Sequence, residues 1–570
     1  MTQDKKALSE VEQIKAESHH LRGTIAETLA DEQAVKFSDD DEQLVKFHGF
    51  YQGYNRDTAT ARKKMKLDKE WEMMLRVKVP GGRITAAQYL ALDALTDQFS
   101  NGTLRVTSRQ GLQYHCVAKG GVLPLIAEVN KTLLTTFGGC GDVVRNVMAV
   151  PSPENNPVMR EIETLAEAIS RETLPKTTAY HELWINGEPY KAPAQDTVDP
   201  LYGESWLPRK FKIALAIPED NTVDALTNDI GLIAVHDGRE IAGFNVYIGG
   251  GFGMKHGNAA TYPRMAEALG YIEKADVMAL CKAVIAFQRD HGDRTDRQHA
   301  RLKYVLAENG MEFCKGKIEA YFGKLLEKLK ETPPLQVKDY LGWHAQGDGK
   351  WYLGLPVTSG RIKDCEEYSL RKALRAVLET YHTPLILMPT EDVIFYNIVE
   401  KDKTAITEIL KAHRVPLKED HTPVELWAMS CVALPTCGKA LTEGERARVP
   451  IIATVSKALA EHGLEQETLS VRITGCPNGC SRPYTGDIGI VGRAPDIYAV
   501  YLGGDFAGTR LSYKVADMVG VEKLGDFLSP FFGAFVAERN AGEEFGNFCH
   551  RIGEERRGGL ALASGAAKKI

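Results

Sequence analysis

Apolar and polar positions alternate with a period of two over three stretches of the first half of the chain. In residues 75–79, Leu75, Val77 and Val79 share one face while Arg76 and Lys78 share the other. In residues 103–115 one face reads Thr103, Arg105, Thr107, Arg109, Gly111, Gln113 and His115. In PRKFKIALAIP (208–218), Lys210 and Lys212 oppose Phe211 and Ile213. That period predicts strands. Residues 8–29 carry a helical pattern, and SDDDEQ (38–43) reads as a turn with a helix start. The first 65 residues are otherwise charged and polar, a poor candidate for a core. They read as an arm that wraps the body or meets a partner.

These patterns recur. LRVKVPGGRI (75–84) is echoed by YLGLPVTSGRI (352–362), and TLRVTSRQGLQY (103–114) by TPLILMPTEDVIF (383–395). NVMAVPSP (146–153) resembles SCVALPTC (430–437). FKI (211–213) resembles VRI (471–473), and NVYIGGGFG (245–253) resembles AVYLGGDFAG (499–508). Five echoes in one order predict an internal duplication. The expected halves are roughly 66–330 and 331–570, each a small α+β unit followed by a larger one.

Length and charge narrow the class. A chain of 570 residues exceeds one ordinary core and predicts two to four domains. A formal net charge of −6 argues against a general nucleic-acid binder but leaves room for a basic pocket. No run approaches the roughly 18 apolar residues of a membrane span. The initial lysines are followed by no apolar core, so a cytoplasmic protein is expected. Ten cysteines in such a chain read as metal or redox ligands where they cluster, not as a disulfide framework.

Four of them do cluster. Cys431-x5-Cys437 is followed, after 38 intervening residues, by Cys476-x3-Cys480. Pro435, Pro477 and Gly479 favour turns that let thiolates converge while backbone N–H groups face a cluster's sulfides. The spacing predicts a [4Fe–4S] site. Zinc and inert burial are the alternatives; structural zinc prefers C-x₂₋₄-C pairs, which a five-residue gap fits poorly. Cys116, Cys140, Cys281, Cys314, Cys365 and Cys549 are scattered and read as small buried hydrophobes. Cys140, in GGCGDVVRN, is the least settled of these because it lies close to Arg145.

Each alternating strand on its own could be a solvated face. Together they carry Arg and Lys without Asp or Glu, and Arg145 adds another cation. Such a lining suits a polyanion: Arg offers a planar fork, and Lys a compact charge that can deliver a proton. A polycarboxylate cofactor and a small oxyanion are the expected ligands. GGGFGMKHG (249–257) does not fit G-x-G-x-x-G after a strand and reads as a tight turn, so no nicotinamide or flavin site is expected in this chain.

At these residues the chain resembles the siroheme-dependent sulfite and nitrite reductases, and more narrowly the haemoprotein beta subunits of the NADPH-dependent sulfite reductases. The resemblance runs from HLRGTIAE (20–27) and FHGFYQ (47–52), through VTSRQGLQYH, RNVMAVPSP, LPRKFKIA and TGCPNGCSRP, to GEEFGNF (542–548). It implies cluster ligation by Cys431, Cys437, Cys476 and Cys480, with the Cys480 thiolate shared with the siroheme iron. It implies sulfite binding by Arg76, Arg145, Lys210 and Lys212. It places Arg105, Thr107, Arg109, Gln113, His115, Arg209 and Asn478 against the siroheme. Lys212 stands where nitrite reductases tend to carry Asn, which favours sulfite. MPTEDVIFYN (388–397) departs from the T-x-N-Q-N-like run of relatives, with Glu391 where Gln is expected, so no contact is carried over for that segment.

The implied fold is α+β with two pseudo-twofold related halves and siroheme at their interface. Its units would be an N-terminal arm (1–65) with a possible docking role, a ferredoxin-like half-module (66–150) and an α/β domain without cluster (151–330). A second ferredoxin-like half-module (331–420) and a cluster-bearing domain (421–570) would follow. The implied activity is reduction of sulfite to sulfide, with NADPH, FAD and FMN acting only through a flavoprotein alpha subunit. The rival readings are a nitrite reductase, a ferredoxin-dependent sulfite reductase, and a non-catalytic iron–sulfur or DNA-associated protein that has lost its haem.

Overall fold

The computed structural model describes residues 7–176, 183–185, 188–190 and 198–565. Four five-stranded sheets form two matching pairs. In the first small sheet the order is Phe50–Tyr54, Trp71–Val77, Leu112–Val117, Leu104–Val106 and Arg361–Ile362, all antiparallel. In the second it is Gly342–Ala345, Lys350–Leu355, Val393–Val399, Leu385–Leu387 and Arg83–Ile84, again antiparallel. The last strand of each sheet comes from the other half. Arg361 lies opposite Arg105, and Ile84 opposite Leu385. Each half therefore covers an edge that the other would leave unpaired.

The large sheets repeat one topology. Met148–Ala149, Ile213–Ala216 and Ile230–His236 run parallel, and Ile241–Ile248 and Glu267–Glu273 continue antiparallel. Ala428–Ser430, Val471–Thr474 and Ile488–Ala494 run parallel in the same way, followed by antiparallel Ile497–Leu502 and Tyr513–Gly520. The echoes read from the sequence fall on corresponding strands, so the α+β fold is duplicated. Local signals start the helices that pack on these sheets. Thr85 and Gln88 exchange side-chain bonds with each other's backbone N–H (3.2 and 3.0 Å) and open helix Ala86–Phe99. Among the described residues no helix is long and apolar enough to cross a membrane.

The first 65 residues overturn one expectation. Leu21, Phe37, Leu44, Val45, Phe47 and Phe50 are buried in the main core, and Phe50–Tyr54 is the edge strand of the first small sheet. Lys15 reaches across to the Leu207 carbonyl at 2.9 Å. The segment hides its apolar anchors because its helices are short and most of the anchors lie outside them, where no helical period can show.

The main core runs from Leu21 to Leu417, whereas the second large sheet packs a separate one, from Val424 to Ala561. Buried ion pairs join the two. Asp224 accepts from Arg472 Nη1 (2.8 Å) and lies 2.9 Å from Arg482 Nη1, and all three residues are buried. Truncating the shared carboxylate leaves two guanidiniums without their counter-charge. Asp224→Ala should lower the unfolding free energy by about 3–5 kcal/mol in urea denaturation. A loss under about 1 kcal/mol would mean that water screens this junction.

Candidate cofactor and anion site

The four thiols emerge from neighbouring parallel strands. Ala428–Ser430 and Val471–Thr474 pair side by side, with Ser430 opposite Ile473. Cys431 follows the first strand, and Cys476 and Cys480 follow the second. Both loops leave the C-terminal edge of the sheet, the edge at which open α/β sheets bind ligands. The Cys431 N–H donates to the Ile473 carbonyl at 3.1 Å. Gly475 N and Thr474 Oγ1 donate to Cys431 Sγ (3.2 and 3.5 Å), and Asn478 Nδ2 to Cys476 Sγ (3.5 Å). These donors suit thiolates, since hydrogen bonds to sulfur stabilise negative charge. Gly479 has φ +65°, and a Cβ there would lie 2.8 Å from the Tyr484 ring, so this turn requires glycine.

Cys431 and Cys476 are buried, Cys437 is half-buried and Cys480 is exposed. Burial pushes the Cys431 thiol up to about 12 and those of Cys437 and Cys476 up to about 11, and negative charge on Cys480 raises all three. The quartet therefore shares one field, and metal binding would have to displace its protons. Cys480 faces the first half, where Ser108 Oγ donates to its carbonyl at 2.9 Å.

Opposite Cys480 stands the cationic wall. A glycine-rich loop holds two of its guanidiniums: Arg76 Nη1 lies 3.3 Å from the Gly139 carbonyl and 3.2 Å from Cys140 Sγ, and Arg145 Nε donates to the Gly141 carbonyl at 2.8 Å. Arg109 is held by Asn228 Oδ1 (2.8 Å) and the Asn146 carbonyl (2.7 Å). Lys210 and Lys212 complete the wall. Lys210 sits well below its ordinary value because of burial and then of the neighbouring cations Lys212, Arg209, Arg301 and Arg145. Lys212 falls to about 7, first through burial and then through Arg109 and Arg301, while Cys480 and Asp229 pull the other way. The thiolate position and the wall thus act on each other directly.

Beside them opens a cavity of about 490 Å³, bounded by Arg209, Lys210, Arg301, Cys476 and Asn478 among others, so that it touches the wall at Lys210 and the quartet at Cys476. The stretch 249–257, read as a tight turn, is a longer loop that starts at Gly249 with φ +83°, pairs with Arg264 at Gly251 and turns only at its end; it also walls the cavity, and its Met254 N donates to the Pro477 carbonyl at 3.2 Å. Arg105 Nε, Arg109 Nε and His115 Nε2 are buried without partners. Unsatisfied buried donors are costly and call for acceptors. Cations short of carboxylates, with donors left over, fit a polycarboxylate macrocycle beside the thiols.

The acid-free reading of the strand bearing Arg105 needs correction. Arg105 Nη2 lies 2.9 Å from Glu391 Oε1, and Glu445 is 3.7 Å from its Nε. His115 Nδ1 meets Arg361 Nη1 at 3.1 Å, and burial with the adjacent guanidiniums holds its imidazole far below the usual range, hence neutral. These acids come from the second half, too distant in sequence for a strand pattern to register. Thr107 is buried and accepts from Gly111 N (3.1 Å), closing the turn that carries Arg109. Gln113 is buried beside Arg105 at 3.5 Å. Arg209 stands 3.8 Å from Asp142.

Sequence reasoning missed several neighbours. Lys303 is fully buried, donates to the Gly253 carbonyl (3.0 Å), and falls to about 7 through burial and Arg301. The cation pair in ARLKYV (300–305), at the start of an apolar helix, was the available signal. Tyr51 shares the field of Cys140, Arg145 and Arg76. Nothing in FHGFYQ pointed to that placement.

Two family descriptions match the chain: "Nitrite and sulphite reductase 4Fe-4S domain" over residues 166–326 and "Nitrite/Sulfite reductase ferredoxin-like half domain" over residues 68–132. The first match covers the half that lacks the cysteine quartet; the quartet sits on the sheet of matching topology. A protein described as "Sulfite reductase [ferredoxin]" from Synechococcus elongatus is 42% identical, covering 96% of this chain and 90% of its own. "Sulfite reductase [NADPH] hemoprotein beta-component" proteins from Staphylococcus saprophyticus (39% identical, 98% of both chains) and Myxococcus xanthus (40%, 97% and 98%) are similar end to end. Among solved structures, the Mycobacterium tuberculosis NirA protein shares the fold, with a TM-score of 0.78 at 22% identity over 97% of this chain and 98% of that one.

The Lys212 environment has a measurable consequence in the cofactor-free chain. With its value lowered from 10.5 to about 7, the unfolded state holds a proton that the folded state lacks between those limits. Stability from this group therefore rises with pH across that window, and the cost is fully present below it. Lys212→Met should stabilise the cofactor-free protein most below pH 7, with the advantage fading by about pH 10.5. Urea denaturation at several pH values checks this, and an advantage that does not vary with pH would refute it.

Proposed function

This chain belongs to the sulfite reductase haemoprotein beta-component family of siroheme and [4Fe–4S] nitrite and sulfite reductases, and from that premise we propose that it reduces sulfite to sulfide in assimilation. The observation that carries this reading is the set of cations facing Cys480, with Arg76 and Lys212 both within its field. Cys431, Cys437, Cys476 and Cys480 would hold the [4Fe–4S] cluster, with Cys480 on the side that would meet the siroheme. Arg105, Thr107, Arg109, Gln113, His115, Arg209 and Asn478 would hold the siroheme. When bound, the two groups would supply single-electron transfer to the substrate.

The chain's own residues supply the rest. Arg76 and Arg145 hold fixed positive charge where sulfite oxygens would sit, positioned by the loop at Gly139–Gly141. Lys210 and Lys212 have protonation equilibria drawn down by burial and then by like charges. A lysine near 7 can donate a proton at neutral pH and recover it from solvent, which suits a reduction whose oxygens leave as water. A dianion gains more than a monoanion from this many cations, so sulfite is favoured over nitrite.

Electrons are assigned to a flavoprotein partner that takes them from NADPH through FAD and FMN, with the exposed part of the first 65 residues offered as contact. Ferredoxin is the second reading for the donor, favoured by the name of the Synechococcus relative. Anaerobic sulfide formation with NADPH plus flavoprotein, against reduced ferredoxin, separates the two. Lys212→Ala should lower sulfite turnover by about 10²–10³ while the absorption bands of both cofactors persist. Full turnover in that variant would remove Lys212 from the reaction.

A further inference from the structure

Glu391 lies in the turn between Leu385–Leu387 and Val393–Val399, closed by bonds from Met388 N to the Asp392 carbonyl (2.8 Å) and from Glu391 N to the Met388 carbonyl (3.0 Å). Its backbone is left-handed, at φ +78°. A side chain bearing a Cβ is strained there, and such strain persists where the surroundings fix it. Glu391 is also 2% exposed. A carboxyl group placed in this way needs a strong partner.

That partner is Arg105. One of its nitrogens, Nη2, meets Glu391 Oε1 at 2.9 Å and the Ser430 carbonyl at 2.7 Å. Ser430 immediately precedes Cys431, and its hydroxyl donates to Ser359 Oγ at 2.7 Å. A Cβ on Gly360 would come within 3.2 Å of the Glu391 Cβ and 2.2 Å of the Val106 carbonyl, so the two turns and the Arg105 strand press together. One guanidinium thus ties the turn of the second small sheet, a strand of the first and the cysteine loop of the second large sheet. Arg105 Nε still lacks a hydrogen-bond partner, so the tie leaves it capacity toward a cofactor carboxylate.

We propose that Glu391 is a positioning residue for the iron–sulfur loop. Its carboxylate aims Arg105 at the Ser430 carbonyl, which fixes the approach of Cys431, and its negative charge offsets the guanidinium next to the cluster. The inference rests on the reading that Cys431 is a cluster ligand. A glutamine there could accept the same bond but would leave Arg105 with only the Glu445 carboxylate, 3.7 Å from its Nε.

The test uses holoenzyme carrying Glu391→Gln or Glu391→Ala, with the cluster's reduction potential followed by electron paramagnetic resonance and melting followed in parallel. Glu391→Gln keeps the acceptor and removes the charge, so it should raise the cluster potential with little change in melting temperature or sulfite KM. Glu391→Ala should also raise it, and in addition should alter the resonance line shape and speed cluster loss to a chelator. An unchanged potential in Glu391→Gln overturns the proposal, whatever happens to melting, because a purely structural ion pair would move only stability. A shifted potential in a protein that reduces no sulfite would leave this inference standing and sink the proposed activity instead.

Discussion

Concentrated positive charge on one side of the molecule's central cleft is the constraint on which this structure turns. Arg76, Arg109, Arg145, Lys210 and Lys212 converge there, and the strongest charges acting on Lys210 all share its sign. Such an arrangement opposes folding, since a buried cation is costly without a counter-charge. It persists because rigid backbone holds each group. The carbonyls at Gly139 and Gly141 grip Arg76 and Arg145, and Asn146 and Asn228 grip Arg109. The positive charge is thus assembled by folding itself.

Holding that wall against the thiols requires the two halves to keep register. Apolar packing alone does not achieve it, because the cluster-bearing sheet has its own core. Reciprocal strands join the small sheets, with Arg361–Ile362 completing one and Arg83–Ile84 the other. Buried ion pairs then link the large sheet to the rest: Asp224 with Arg472 and Arg482, and Glu445 with Arg361. Ion pairs are directional where hydrophobic contact is not, so they suit a junction whose angle matters more than its strength.

Duplication also shows how one topology takes two roles. The strand Met148–Ala149 and its counterpart Ala428–Ser430 occupy matching sheet positions. The first is followed by VPSP and the second by the Cys431–Cys437 loop. Likewise Ile213–Ala216 is preceded by Lys210 and Lys212, while Val471–Thr474 is followed by Cys476 and Cys480. The two copies thus differ at their strand ends, cations in one and cysteines in the other, on sheets of one topology.

Spacing and periodicity were enough to single out Cys431, Cys437, Cys476 and Cys480 as candidate ligands, and to read the cationic strand faces and the order of the repeats. Each of these is a local pattern, imposed by turn chemistry or by the two-residue period of a strand. Tertiary structure decided the rest. Two-residue strands such as Arg83–Ile84 carry no period to read. The anchors at Phe37 and Phe47 lie in turns, and Arg105 meets Glu391 across 286 positions of sequence. Those contacts exist because the halves dock in one orientation, and a linear pattern holds no information about which distant acid will face which cation.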